Sequence, residues 1–339
     1  MSANSCDQYQ QDGPAEKFIC RADEIGSYPW QVTQARAKAA TILINKYKGG
    51  SSVADPASQT IKKILKFWAG KIATATASDS METDGFEALN SMFMSAMAGA
   101  IARQDKNALP FIPTIHAAIA SDSPAGETVA RSMDILVRNI PYLSTENHAI
   151  TKPLYKQWAY YNLTKSLYDK ALPISQGPQA LRYTTAILSI VKHVPFTVYE
   201  PDLDRLVRLV LTVLSPSQTP RGSFAQYAAA LEIVGQILAN DPQSLKEHLR
   251  AVITSVTSLY AEAKQTSGGA RTTRPDPAAA LCRKLSLELL AKLPQAFEER
   301  HLLPHSPLMQ RMLASASGDS VREVRKVALT ARQAWATVA

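Results

Sequence analysis

The stretch PQSLKEHLRAVITSVTSLYAEAK, residues 242–264, carries the pattern that decides the fold. Its apolar residues recur at intervals of four, three, four and three positions, at Leu245, Leu249, Val252, Val256 and Leu259. This spacing places them on one face of a helix. The stretches 177–194, 201–214 and 223–238 have the same periodicity, and no segment alternates with the period and composition of a strand. The sequence therefore predicts an all-α protein.

These helices belong to a repeat. Three of them close alike, with SIVKHVP at 189–195, QILANDP at 236–242 and LLAKLP at 289–294, and a second helix follows each. The first helices of successive units start near residues 178, 223, 275 and 319, so the spacings are about 45, 52 and 44 residues. Two-helix units with a period of roughly 40–47 residues are typical of HEAT and armadillo repeats, which predicts an α-solenoid of stacked helix pairs. The longest spacing contains a polar insert, residues 264–277, which indicates a loop.

The first half of the chain repeats less regularly. Helices are predicted there at 31–47, 58–76, 84–103, 108–120, 126–139 and 150–171. Residues 1–28 are polar and contain Gly and Pro, so we expect a disordered leader. The predicted organisation is this leader followed by a HEAT-repeat solenoid over 29–339. Its repeats are less regular in 29–175 and regular in 176–339, and a capping helix over 319–337 ends the chain.

The closing stretch GDSVREVRKVALTARQAW, residues 318–335, separates into two sides when it is laid on a helix. The apolar stripe consists of Val321, Val324, Ala328, Ala331 and Trp335, and the basic sector of Arg322, Arg325, Lys326 and Arg332. A repeat stack needs a polar outer face at its ends, so this helix is expected to cap the stack. Its basic side faces solvent, a protein partner or nucleic acid. The N-terminal end offers no comparable cap, and residues 31–47 resemble part of an interior helix pair cut from something longer.

The composition of the chain indicates what kind of partner it binds and in which cellular compartment it is found. The 339 residues carry a net charge of +8 and a pI near 9.3, which favours anionic partners. Cys6, Cys20 and Cys282 are few and far apart, as expected in a reducing compartment. The first residues lack the apolar core of a signal peptide, and the longest uncharged apolar run, 91–102, is too short to span a bilayer. We expect a soluble intracellular protein.

Motifs that would carry chemistry are missing from the sequence. It contains no phosphate-binding glycine loop, no dinucleotide-binding motif and no nucleophile elbow. His301 and His305 have a metal-like spacing, but Pro304 between them disturbs the helical face that such a pair needs. Cys282 falls on an apolar stripe, where a cysteine behaves as a small hydrophobic residue. We therefore expect no cofactor, no metal and no enzymatic activity.

One further stretch mixes charge with aromatic residues. In KPLYKQWAYYNLTKSLYDK, residues 152–170, lysines are interleaved with tyrosines and a tryptophan. Such a mixture can stack on bases and contact phosphates. The alternative is that the aromatic rings pack between helices while the lysines stay in solvent.

Three segments together resemble a known family. The segments 317–335, 35–47 and 150–163 resemble parts of the MMS-nineteen family of DNA-repair and transcription scaffolds that act in cytosolic iron–sulfur protein assembly, and the terminal segment is the most specific of the three. The matching residues are Asp319, Arg322, Val324, Arg325, Lys326, Ala328, Ala331, Arg332 and Trp335, then Ala35, Ala39, Leu43, Asn45 and Lys46, then Leu154, Tyr155, Lys156 and Gln157. Val327 and Trp158 stand where the family pattern has Glu and Arg.

The resemblance implies a role. Family members are much longer, so this chain would correspond to their C-terminal part, an all-helical HEAT solenoid without enzymatic activity. The family's C-terminal repeats dock on a targeting complex, made of a WD-repeat propeller protein and a small partner. Iron–sulfur apoproteins such as repair helicases, polymerases and primases are brought to that complex, and the scaffold itself holds no cluster. We expect such an adaptor in the nucleus and the cytoplasm, without a membrane partner.

The resemblance and the basic sector together suggest contact residues. Candidate partner-binding residues are Arg322, Arg325, Lys326, Arg332, Trp335, Lys156 and Gln157. Two alternatives remain open at this point. The chain could be a different HEAT-repeat scaffold, acting in transport or in the regulation of translation, or it could bind nucleic acid directly through its positive charge.

Overall fold

The computed structural model describes residues 30–46, 56–78, 83–173, 177–215, 222–267 and 276–338. These residues form α-helices and short 3-10 helices joined by turns, with no strand among them. The prediction of an all-α fold is confirmed. The predicted leader over 1–28, with Cys6 and Cys20, lies outside the described residues, and so does most of the polar insert.

The α-helices are numbered here in chain order. They are α1 (Trp30–Lys46), α2 (Pro56–Ser78), α3 (Thr83–Ala102), α4 (Ile112–Ala120), α5 (Pro124–Arg131), α6 (Tyr155–Ala171), α7 (Pro178–Val191), α8 (Phe196–Tyr199), α9 (Leu203–Leu214), α10 (Phe224–Asn240), α11 (Leu249–Ser267), α12 (Pro277–Ala296), α13 (Glu299–Leu302), α14 (Ser306–Ala316) and α15 (Arg322–Trp335). The 3-10 helices are Lys106–Phe111, Ser132–Leu136, Glu200–Asp202, Pro242–Leu245, Leu303–His305 and Ala336–Val338.

Two helices in the first half of the chain begin later than the periodicity predicts, and a proline lies near the start of each. The stretch predicted to be helical from residue 108 is a 3-10 helix up to Phe111, with Pro110 inside it. The helix predicted from 150 begins at Tyr155, two residues after Pro153. A proline ring lacks the N–H that an α-helix needs and disfavours the helical conformation in the residue before it.

The last helix also begins later than predicted, at Arg322 rather than at residue 319. The carboxylate of Asp319 accepts the backbone N–H of Val321 at 2.9 Å, which forms a turn in front of the helix. Val321 is therefore the N-cap residue and not a member of the buried stripe. The remaining stripe residues are buried as predicted, namely Val324, Ala328, Ala331 and Trp335.

The described residues divide into two compact units. Unit 1 contains the described residues up to Lys170 and the segment Thr185–Val194. Unit 2 contains Ala171–Thr184 and the described residues from Pro195 onward.

In unit 1, α1 lies directly against α3. The Thr41 hydroxyl donates to the carbonyl of Ser95 at 3.0 Å. The buried Asn45 amide donates to the carbonyls of Gly99, at 3.2 Å, and of Ile150, at 2.9 Å. The Asn45 carbonyl oxygen accepts the N–H of Ile150 at 2.8 Å. Asn45 thus joins α1 to α3 and to the loop that precedes α6.

A buried histidine joins α4 to α6 in the same unit. His116 Nε2 lies 3.1 Å from the Leu163 carbonyl, so this nitrogen carries the proton and donates it. Nδ1 then accepts the hydroxyl proton of Ser166 across 2.7 Å. Both ring nitrogens are satisfied in the neutral form, and burial lowers the pKa of His116 to about 4.

Unit 2 has two layers of helices. The first helices of successive pairs, α10, α12 and α15, pack side by side, and the second helices α9 and α11 contact each other in the other layer. Along the sequence, the first helices begin at Pro178, Phe224, Pro277 and Arg322, within three residues of the predicted starts. The prediction of stacked helix pairs is confirmed.

A buried ion pair ties three elements of unit 2 together. Arg283 of α12 donates from Nε to Asp319 Oδ2 at 3.0 Å and from Nη2 to Oδ1 at 3.3 Å, with both side chains at most 2% exposed. Its Nη1 donates to the Ala263 carbonyl of α11 at 2.8 Å, and the Tyr260 hydroxyl donates to Asp319 Oδ2 at 3.2 Å. The pair therefore fixes α11, α12 and the turn before α15 relative to one another.

We predict that Gly99→Ala destabilises the protein. A Cβ at this position would lie 2.4 Å from the backbone oxygen of Thr41, so α1 would have to move away from α3. Overpacking of this kind costs about 1–3 kcal/mol, and we expect a loss of that size in urea unfolding. Gly70→Ala is the matched control, because a Cβ there meets nothing within 4 Å, and it should stabilise α2 by up to about 1 kcal/mol. Equal effects of the two changes would contradict the close approach.

We predict strong coupling between Arg283 and Asp319. Asp319→Asn or Arg283→Met alone leaves a buried polar group without its partner, and each should cost about 3–5 kcal/mol in the free energy of unfolding. The double variant removes both charges and should lose less than the sum of the two single losses, by about 1 kcal/mol or more. A double-mutant cycle by urea unfolding measures this difference. Additive losses would show that the pair does not act as a unit.

We predict that His116 makes the free energy of unfolding sensitive to acid. Its folded pKa of about 4 lies below the value of 6.5 for the unfolded chain, so the folded state favours the neutral ring. The corresponding stability is complete above pH 6.5 and is lost as the pH falls toward 4, by roughly 3 kcal/mol at most. His116→Gln removes this titration and should flatten the pH dependence over that interval, as measured by unfolding at several pH values. Parallel profiles for the two proteins would contradict the prediction.

Candidate partner-binding surface

The outer side of α15 presents a positively charged surface. At about 100° per residue, the sector beside the buried stripe carries the exposed residues of this surface. We call them the basic face, and they are Arg322, Arg325, Lys326, Leu329 and Arg332. Leu329 is 57% exposed at the centre of the four cations, and Glu323 lies off to one side of them. The face therefore combines positive charge with one apolar side chain.

Leu329 was not among the contact residues predicted from the sequence. On sequence alone a leucine in an amphipathic helix is assigned to the core, and only its angular position reveals the difference. Leu329 follows Arg325 by four residues and Lys326 by three, which places it among the cations and away from the buried stripe.

Trp335 anchors this helix to the rest of unit 2. Its indole Nε1 donates to the Leu290 carbonyl of α12 at 2.8 Å, and the residue is 2% exposed. A side chain so deeply buried offers no surface to a partner. The predicted contact role of Trp335 is therefore replaced by a structural one.

Arg325 has a structural contact as well. One of its guanidinium nitrogens, Nη1, donates to the backbone carbonyls of Asp319, at 2.7 Å, and Ser320, at 3.1 Å. These bonds hold the turn from which α15 starts. Arg322, Lys326 and Arg332 form no ion pair with the part of the chain that the structure describes, and together with Leu329 they are the residues that a partner can engage.

The other two predicted contact residues, Lys156 and Gln157, lie on α6 of unit 1. The Lys156 ammonium donates to the backbone carbonyl of His193 at 2.7 Å, and burial lowers the pKa of this lysine. It therefore satisfies a carbonyl just beyond the end of α7. Gln157 is exposed. The basic face is thus gathered on one helix, whereas this pair belongs to the other unit.

The described residues hold no group of three or more His, Cys, Asp or Glu that could bind a metal ion. His301 lies in the short helix α13 and His305 in the 3-10 turn that follows it. Cys282 is buried, as predicted, and burial raises the pKa of its thiol to about 12. None of the helices in the described ranges combines the length and the apolar content that crossing a bilayer requires.

Comparison with known proteins places these observations in a family. Residues 30–294 match the sequence profile of the family described as RNAPII transcription regulator C-terminal, MMS19_C. The chain is 22% identical over 210 residues to the DNA repair/transcription protein mms19 of Schizosaccharomyces pombe. It is 24% and 23% identical over 220 residues to the MMS19 nucleotide excision repair protein homologs of Bos taurus and Homo sapiens.

These alignments cover 62% and 64% of the chain and 19% of each relative, so the chain spans about a fifth of their length. The crystal structure of an engineered protein matches with a TM-score of 0.37 and 13% identity, over 97% of this chain and 87% of that one. The resembling segment 317–335 lies beyond the matched residues, whereas the segments 35–47 and 150–163 lie within them. Since the match covers well over half of the chain, this protein belongs to the MMS19_C family, the C-terminal family of RNAPII transcription regulators.

Proposed function

We propose that this chain is a non-enzymatic scaffold acting in DNA repair and transcription. The names of its relatives, a DNA repair/transcription protein and nucleotide excision repair homologs, support this class. Within it, we assign the chain to the targeting complex of cytosolic iron–sulfur protein assembly. It would dock on a WD-repeat propeller protein and its small partner. Clusters would thereby be delivered to apoproteins of repair, replication and transcription, such as helicases, polymerases and primases, in the nucleus and the cytoplasm.

The observation that carries the proposal is the basic face of α15. An exposed ion pair contributes only about 0–1 kcal/mol, so the charges alone do not supply the affinity of a stable complex. Burying a leucine side chain contributes about 1.5–3 kcal/mol, and Leu329 lies where a partner would cover it. The cations around it would set the orientation and the rate of association with an acidic partner.

We predict that reversing two charges on the basic face weakens docking. The variant Lys326→Glu with Arg332→Glu should lower the affinity for the purified WD-repeat protein and its small partner by at least about tenfold, because attraction becomes repulsion. Leu329→Ser should weaken it separately by removing the apolar contact. The melting temperature should stay near that of the wild type, since these side chains lie in solvent. Interferometry on the immobilised chain and a thermal scan measure the two quantities.

The matched control is Lys63→Glu with Lys66→Glu on α2, which makes the same change in net charge at two exposed positions of unit 1. It should leave the affinity unchanged within about twofold. If the variants of the basic face bind as the wild type does, this face is not the docking surface. If the wild type itself does not bind the targeting proteins, the adaptor role is wrong.

Direct nucleic-acid binding is the second candidate function, because the four cations of the basic face have no carboxylate among them. It predicts an affinity for DNA that falls steeply with salt, since each neutralised phosphate releases counterions. Filter binding at two salt concentrations, with the wild type and with Lys326→Glu/Arg332→Glu, separates the candidates. The adaptor proposal expects weak binding that the variant does not change. Tight binding that the variant lowers would favour nucleic acid.

A further inference from the structure

A row of apolar residues begins directly before α6 and continues into the first two turns of this helix, in unit 1. Leu154 stands directly before α6, and Trp158 and Tyr161 follow it by four and seven residues, so the three residues span roughly 10 Å. Leu154 is 71% exposed and Tyr161 is 64% exposed, while Trp158 is half-buried between them. We call these three residues the α6 row. Exposed apolar side chains are ordinary singly, but contiguous ones mark interaction surfaces.

The first member of the row has a strained backbone. Leu154 has a φ of 62°, in the left-handed region where glycine and asparagine are favoured and a bulky residue is an outlier. Its carbonyl accepts the N–H of Trp158 at 3.0 Å, so the strained residue stands at the start of α6. A leucine here adds little to the core, because most of its side chain is in solvent.

The loop in front of Leu154 is held at three points. Asn45 bonds both backbone groups of Ile150, the N–H of Lys152 donates to the carbonyl of Ala102 at 2.9 Å, and the Gln104 amide donates to the carbonyl of Pro153 at 3.0 Å. A strained conformation persists only where its surroundings fix it, and such residues cluster at binding sites. The structure thus fixes an unfavourable backbone that presents an exposed leucine.

We infer that the α6 row docks a partner protein, one that presents an apolar surface with carboxylates at its edges. The charges flanking the row support this choice. Lys152 precedes the row and Lys165 follows it, both exposed, and the Lys165 ammonium lies 5.9 Å from the centre of the Tyr161 ring. Acidic groups at the edges of the partner would meet both lysines.

Two other occupants fit the row less well. In an antiparallel pairing of the α6 row with the same row of a second copy, Lys152 would face Lys165 of the other molecule, and like charges would repel. A single-stranded nucleic acid would need rings to stack on, and Tyr161 offers the one largely exposed ring of the row, whereas Leu154 offers none. An apolar, acidic protein surface uses all three side chains and both lysines.

The inference can be tested with short random peptides displayed on phage and panned on the full chain. Counter-selection uses the variant Leu154→Asn with Tyr161→Ser. We expect enriched peptides that combine Leu, Ile, Phe or Trp with Asp or Glu. Such a synthetic peptide should bind Leu154→Asn at least about tenfold more weakly than the wild type in fluorescence anisotropy. Because asparagine tolerates the left-handed conformation, this variant should melt at or above the wild-type temperature.

The matched control is Leu281→Asn, which changes a 42% exposed leucine within the regular helix α12 and should leave peptide binding unchanged.

A docking role for the row is overturned if no peptide survives counter-selection, if the peptide binds Leu154→Asn as tightly as the wild type, or if Leu154→Asn clearly lowers the melting temperature. Enriched peptides without acidic residues overturn the assigned partner chemistry. A dimer in sedimentation that Leu154→Asn dissolves, or binding of oligothymidylate that it abolishes, assigns the row to another occupant and overturns the inference as well. None of these outcomes depends on the targeting complex.

Discussion

The Arg283–Asp319 ion pair is the interaction on which the C-terminal end of unit 2 depends. A guanidinium and a carboxylate that are both at most 2% exposed are stable there only while they face each other. This requirement fixes α12 against α11 and the turn before α15 against both. This turn sets the residue at which α15 begins. The buried stripe of α15 therefore faces inward, and its cations face outward. Because buried charges lose their hydration, we expect the pair to specify the geometry of this end more than it adds stability.

In unit 1, an uncharged side chain and a glycine fix the helices relative to one another. There the side chain of Asn45 joins α1 to Gly99 and to Ile150, and the missing side chain of Gly99 lets two helix backbones come close. Asn45, Lys156, Asp319 and Trp335 all belong to the segments that resemble the family, and all four make contacts inside the protein. The exposed apolar residues that we propose for partner binding are Leu154, Tyr161 and Leu329. None of them was among the contact residues predicted from the sequence. In these segments, the residues that resemble the family mainly make contacts that stabilise the fold.

Much of the fold could be predicted from the sequence, because each helix buries one side and the three- and four-residue spacing of its apolar residues shows which side that is. The starts of helices were harder to predict, since Pro110 and Pro153 break the first turn of a pattern that periodicity alone extends. The buried pair was missed because Arg283 and Asp319 are 36 positions apart, and neither differs in sequence from a solvent-exposed charge. Leu154 and Leu329 were missed for the opposite reason, as a leucine on a helix is ordinarily counted with the core.

The same contacts make the C-terminal segment indivisible from what precedes it. Repeat arrays can often be shortened one unit at a time, because each repeat touches only its neighbours. Here, a chain cut just before Asp319 would take this carboxylate away from the Arg283 guanidinium, and Leu290 would lose the indole that bonds its carbonyl. Protease nicking or an early stop codon in this region would therefore harm the preceding repeat as well as remove a helix. Shortened versions of this chain should end beyond Trp335.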